Sequence, residues 1–294
     1  MTATMTLPAL VVGTYAAEAA ELPLPTQRGT EQSVDGERSD HIDDDIRHAH
    51  DSAGRLAAHT LHFAPVLDGG WCDAIVGELR WLLGAVGPAH DLEILNQIIS
   101  ACAAAMPTSD ALQLEPLIAM LNDQRRAANA LAIDALSDER YASLRLRVLG
   151  AGEHVPVDAD DSVAGWAHDT LALAWERLAR EMERLDALGE RAPEGAHESA
   201  RRARLAAEVA GTALGEPATR LASALRGVQR LLGAQRGAAS TIMWVRREAA
   251  SQDPVTIFAA GLASGLMRNS FNTSRAEIPA AWAKACRRKD RMWS

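Results

Sequence analysis

Gly77 to Ile94 reads GELRWLLGAVGPAHDLEI, and the rest of the chain is interpreted outward from this stretch. Leu79, Leu82, Leu83 and Val86 recur at spacings of three and four, the period of one helix face. Gly87-Pro88 follows at once. Glycine tends to end helices and proline to open them, so the spacing predicts one helix stopping at Gly87 and another running from Pro88 to about Ala105. His90 and Asp91 fall in the first turn after that break, where a carboxylate can cap exposed backbone amides.

Upstream, Ile46, Ala49, Ala53, Leu56, Thr60, Phe63 and Leu67 form a second stripe at spacings of three and four, behind Asp43, Asp44 and Asp45. Acids suit the positive end of a helix, so a helix is expected from there to about Asp68-Gly69-Gly70. Its other face carries His48, Asp51, Arg55, His59 and His62. Residues 1–41 lack periodicity and are rich in Pro, Gly, Thr, Ser and acids, which predicts a disordered or loosely attached acidic tail. Downstream, helices are expected from Ser109 or Asp110 to about Leu136, on to Leu149, and from Val163 to Leu188. Four more are expected over Pro217–Leu232, Ala234–Ala250, Pro254–Met267 and Pro279–Trp293. The stretch GAGEHVPVDADD, residues 150–161, has linker composition and splits a helical region, 42–294, into halves of about 42–150 and 162–294. No stretch reads as a strand; the fold class is all-α.

Composition agrees, with 48% hydrophobic but only 4% aromatic residues, as in helices packed on small side chains. The net charge of -9 argues at first against an anionic ligand. Residues 1–45, however, hold nine acids and two arginines, leaving 30 acids against 28 Lys and Arg in the rest. Local patches therefore matter more than the total. Cys72, Cys102 and Cys286 lie far apart without C-x-x-C spacing and are read as reduced thiols of a cytosolic protein. No apolar run approaches the roughly 18 residues of a membrane span. P-loop, nucleophile-elbow, zincin and dinucleotide signatures are missing, so catalysis is not expected, nor is any cofactor.

The second half echoes the first. His197 precedes Arg204-Leu205-Ala206-Ala207 as His48 precedes Arg55-Leu56-Ala57-Ala58, and Leu231-Leu232-Gly233-Ala234 echoes Leu82-Leu83-Gly84-Ala85 at the same offset. The central L-x-W-L-x-x-x-x-G-P-x-[basic]-D-L-x-x-L is similar to the signature of the CHAD family of conserved-histidine α-helical domains. The second-half L-x-x-x-x-G-x-x-[basic] ending at Arg236 and the basic run after Trp282 resemble it too. This resemblance implies two similar helical bundles from an internal duplication, related by a pseudo-twofold axis. It also implies non-catalytic binding of inorganic polyphosphate or a related polyanion in the cytoplasm, at polyphosphate granules, with protein partners there.

A chain of phosphates carries about one charge per unit, so its binder needs rows of Arg, Lys or protonated His, and affinity that falls with salt. The candidate contacts are His48, Arg55, His59, His62, His90, His197, Arg201, Arg202, Arg204, Arg236, Lys284, Arg287, Arg288 and Arg291. Several departures weaken the site. Asp51, Leu56 and Ala58 replace expected basic residues, His90 stands where the family has Arg, and Gly237 where it has an acid. With histidine titrating near pH 6.5, binding that strengthens on acidification is expected. Simpler readings stand beside this one: a solvated histidine face, and arginines paired within their helix to Glu198 or Glu208. His59 and His62 could share a cation, but no third ligand is evident and no metal site is expected. The alternative function is a protein-interaction scaffold that has lost polyphosphate binding.

Overall fold

The computed structural model describes residues 6–24, 35–154, 162–185 and 193–287, without the side chains of 35–41 and 152–154. No strand occurs among them. The helices are α1 (Leu7–Ala20), α2 (Asp35–Phe63), α3 (Gly69–Ala105), α4 (Thr108–Ala111), α5 (Glu115–Leu136), α6 (Glu139–His154), α7 (Val163–Arg184), α8 (Glu194–Leu214), α9 (Glu216–Ala249) and α10 (Pro254–Ala285). They form two compact units. The first comprises Met1–Asp91 and Arg125–Ala167, the second Leu92–Gln124 and His168–Ser294.

In the first unit the α2 stripe is buried as its spacing predicts, from Ile46 through Leu56 and Phe63 to Leu67. Part of the expected acidic tail is instead ordered. Thr6 caps α1, and Leu7, Leu10, Val11, Tyr15, Ala19 and Leu22 are buried, with α1 packed on α6 and α2. Tyr15 is the anchor. Its hydroxyl donates to Thr60 Oγ1 at 2.6 Å, its ring meets Trp71 edge-on at 5.5 Å, and burial pushes its phenol pKa upward. Phe63 stacks on Trp166 at 4.7 Å, and the Tyr141 hydroxyl donates to the Pro23 carbonyl. A run of small apolar residues without strong periodicity can still pack when an aromatic side chain fills the gap. Residues 25–34 of the expected tail, like the linker stretch 155–161, lie outside the described residues. Because α2 begins at Asp35, Asp43 lies inside the helix, where it accepts from Arg125 and Asn129.

The break expected at Gly87-Pro88 is absent, because α3 continues through Pro88. A mid-helix proline loses an amide donor and crowds the carbonyl four residues back and the residue just before it. Those positions are Gly84 and Gly87, neither of which would meet any neighbour with an added Cβ. With no side chain at either position and Pro88 itself exposed, that crowding is reduced. The break expected near Gly233 is likewise absent, since α9 runs through it, and α10 runs through Pro279 to Ala285.

The second unit packs Leu95, Ile99, Leu114, Leu117 and Leu121 against Ile242, Trp244, Val245, Ala260, Ala263 and Met267. Trp244 Nε1 donates to Gln124 at 2.9 Å, and Trp175 stacks on Trp282 at 4.8 Å. Here α8 and α9 form an antiparallel hairpin around Gly215, whose φ of 71° and ψ of -146° suit glycine alone. Outward from that turn, Gly211 meets Thr219, Glu208 meets Arg226, Arg204 meets Gln229 and His197 meets Gly233. Buried alanines at 196, 200, 203, 206, 207 and 210 on α8 let the two backbones approach closely.

Candidate functional site

The α8–α9 hairpin gathers five of the relevant cations. Glu198 accepts from Arg201 through both oxygens, at 2.8 and 2.9 Å, and from Arg202 at 2.7 Å. One turn further, Arg204 donates to Glu208 at 2.7 Å and to Gln229 at 2.6 Å, while Arg226 reaches the same Glu208 at 2.9 Å. Arg236 lies 3.5 Å from Glu194. Five guanidinium groups therefore face three carboxylates, an excess of two positive charges. Burial opposes ionisation of Glu198, but the bonds and charges of Arg201 and Arg202 outweigh it and hold the carboxyl below its usual range.

His197 is half-buried within this row. Its Nε2 would sit 3.3 Å from a Cβ at Gly233, so the glycine makes room for the ring. Burial, followed by the charges of Arg236 and Arg201, lowers its pKa to about 4, with Glu198 alone opposing. The expectation of a histidine that charges on mild acidification fails at this position, since an imidazole among guanidiniums gives up its proton early.

On α2 the expected contacts meet different fates. His48 is exposed. Arg55 donates to Glu18 of α1 at 2.6 Å and to Ser52 at 3.2 Å. His59 was expected on an open face but is only 3% exposed, with Nε2 at 3.5 Å from the same Glu18. His62 is half-buried edge-on to His59, and Trp166 donates to its carbonyl. Burial would raise the Glu18 carboxyl, but hydrogen bonds from His59 and Arg55 more than offset this and lower it. His90 stacks on His50 at 4.1 Å. Lys284 and Arg287 are exposed at the end of α10, whereas Arg288 and Arg291 lie outside the described residues.

Glu18, Arg226, Gln229 and His50 were not among the expected site residues. Glu18 lies in α1, which was expected to be part of a loosely attached tail, and Arg226 and Gln229 reach the row only because α9 folds back on α8. Gly237 also acquires a reason. A Cβ there would stand 3.0 Å from Ile98 Cδ1, so the acid expected from the family pattern would require that side chain to shift.

These features define an all-α protein of helix bundles whose α2 and α8 faces carry histidine and arginine. The chain belongs to the CHAD domain family, whose pattern it matches over residues 30–246. The family is associated with binding polyphosphate-related ligands. No curated protein matches the sequence significantly. Among solved structures, the fold is similar to PptA from Streptomyces chartreusis, with a TM-score of 0.68 and 19% identity over 95% of this chain and 100% of that one. It is also similar to the CHAD domain from the plant Ricinus communis, with a TM-score of 0.62 and 17% identity over 97% and 93%. Among the described residues, no helix is long and apolar enough to cross a membrane.

Proposed function

We propose that the protein binds inorganic polyphosphate or a related polyanion, without chemical turnover, along the arginine row of α8 and α9. The supporting observation is the excess of guanidinium over carboxylate on that hairpin, with Arg201, Arg202 and Arg204 fixed by Glu198 and Glu208. Such pairing orients the guanidiniums in advance, and a multivalent phosphate chain can exchange for or share the glutamate partners. Binding at polyphosphate granules, with protein partners there, fits this role. The test is the affinity for labelled long-chain polyphosphate at two salt concentrations. Arginine-carried binding weakens with a slope of about -0.7 in log affinity per phosphate contact, and changes little between pH 7.5 and 6. Binding that ignores salt rules the reading out.

The scaffold reading has one specific observation in its favour. Val255, Phe258, Leu262 and Leu266 lie along one side of α10 and are exposed, Phe258 by 62%. Ile257, Ala260 and Gly261 line a neighbouring groove of about 380 Å³ between α9 and α10. An apolar stripe of this kind suits a protein partner. It predicts that polyphosphate fails to bind at any salt concentration, while Phe258→Asp abolishes association with that partner.

A further inference from the structure

Within the first unit, His50 and Asp51 are successive residues of α2 and His90 stands on α3. Their candidate donor atoms, two imidazole nitrogens and one carboxylate oxygen, all lie within 4.8 Å of one another. The two rings are stacked with their planes 16° from parallel. His50 Nδ1 is buried, and its contact with Asp51 Oδ1, at 3.6 Å, is too long for a good hydrogen bond although, against burial, the pair holds the Asp51 carboxyl below its usual range. A buried nitrogen whose nearest polar neighbour stands at 3.6 Å is poorly satisfied, and the juxtaposition of three lone-pair donors offers it a use.

We propose that His50, Asp51 and His90 bind one divalent transition cation, with Zn2+ as the best-fitting member. The donor set decides the class. Two imidazoles and a single carboxylate suit Zn2+, Co2+, Ni2+ or Cu2+, whereas Ca2+ and Mg2+ require a shell made mainly of oxygen. Zinc holds such ligands at about 2.0–2.2 Å, which places donors roughly 3.3 Å apart in a tetrahedron. The cluster must contract by about 1.5 Å to reach that spacing. The terminal torsion of histidine is broad, so each ring can turn its lone pair towards a common point. Asp51 is 52% exposed and can swing in from the solvent side. Arg55, the neighbouring cation that acts on Asp51, is already engaged by Glu18 and leaves the Asp51 carboxylate to the metal. Three protein donors leave one position for water or another small ligand.

This site goes beyond the polyanion reading and stands without it. It also lies where sequence reasoning expected no metal. The pair weighed there, His59 and His62, shares one helix, whereas the third ligand at the actual cluster comes from a different helix.

The test is calorimetric titration of the full chain with Zn2+ after chelator treatment. Co2+ absorption spectra report the coordination geometry, and their change in the His variants reports imidazole ligation. One Zn2+ per chain is expected, with affinity reduced at least tenfold in His50→Ala and in His90→Ala and unchanged in the α7 control His168→Ala. Wild-type protein should also melt at a higher temperature with Zn2+, and the two ligand variants should not. Thermal melting of the metal-free variants checks that they fold, and His90→Gln provides a milder replacement if His90→Ala does not. No Zn2+ uptake by the wild type, or equal affinity in wild type and folded variants, overturns the proposal.

Discussion

The α2 face and the α8 face carry the same short pattern, a histidine followed seven residues later by Arg-Leu-Ala-Ala, yet their charges are satisfied differently. On α8, His197 is tucked against Gly233, and the arginines are held by Glu198 and Glu208 of their own helix. On α2 the histidine is exposed, and Arg55 is held by Glu18 of another helix, α1. Joined by Arg226 and Arg236 of α9, the α8 row keeps an excess of positive charge, while Arg55 and Glu18 cancel. A repeated motif therefore specifies where cations stand, but its partners decide whether those cations remain available to a ligand.

The strongest challenge to this contrast is to remove what holds α1 in place. Tyr15→Ala empties a fully buried aromatic position and should cost about 3–5 kcal/mol, measured by urea unfolding. A loss below about 1 kcal/mol would mean that α1 is not docked and that Glu18 does not cover α2. Next, replacing Arg201, Arg202 and Arg204 together with alanine should weaken polyphosphate binding about a hundredfold and flatten its salt slope by about 2, whereas Arg55→Ala should change it less than about twofold. Equal losses on both faces would erase the distinction.

A third difference concerns pH. His197 has an ordinary value of 6.5 unfolded and about 4 folded, so between these values the unfolded chain holds the extra proton. Its contribution to stability is therefore complete above about pH 6.5 and declines as pH falls towards 4, by roughly 2–3 kcal/mol. His197→Gln should flatten that decline in urea unfolding, with His48→Gln as the comparison at the exposed counterpart; an unchanged slope in His197→Gln would contradict its burial as a neutral ring. The lowered carboxyls of Glu18 and Glu198 add losses of the same sign, but only below about pH 4.5. The smallest effect is expected from Glu18→Gln. It removes the charge opposing Arg55 and should tighten polyphosphate binding by roughly fivefold, about 1 kcal/mol, if the α2 face can act once uncovered.

Much of this molecule is legible in its residues. The α2 stripe, the helical class and the arginines of α8 follow from periodicity and local charge, including the pairing to Glu198 and Glu208. Helix ends were less legible. Gly87-Pro88, Gly233 and Pro279 look like stops, but α3, α9 and α10 pass through them. Glycine and proline set only local preferences of about 1 to 3 kcal/mol, which tertiary packing along a long helix can exceed. The first helix was missed for the opposite reason. Its buried positions, Leu7, Leu10, Val11, Tyr15 and Ala19, recur at helical spacing but are masked by Val12, Ala16 and Ala17 on the other sides, and its order comes from packing against residues distant in sequence.

Sequence alone carried what depends on neighbours within a turn or two: the helix period, the family signature and the rows of cations with their acids three and four residues away. The folded structure was needed for every relation between separate helices. Glu18 lies 37 residues from Arg55, Gln229 lies 25 from Arg204, and His90 meets His50 across two helices. Side-chain spacing along a helix is set by its fixed rise and turn, whereas the meeting of two helices depends on how the whole core packs. For that reason the cations could be named from the chain, while the carboxylates that restrain them and the histidines that face each other emerged only once it was folded.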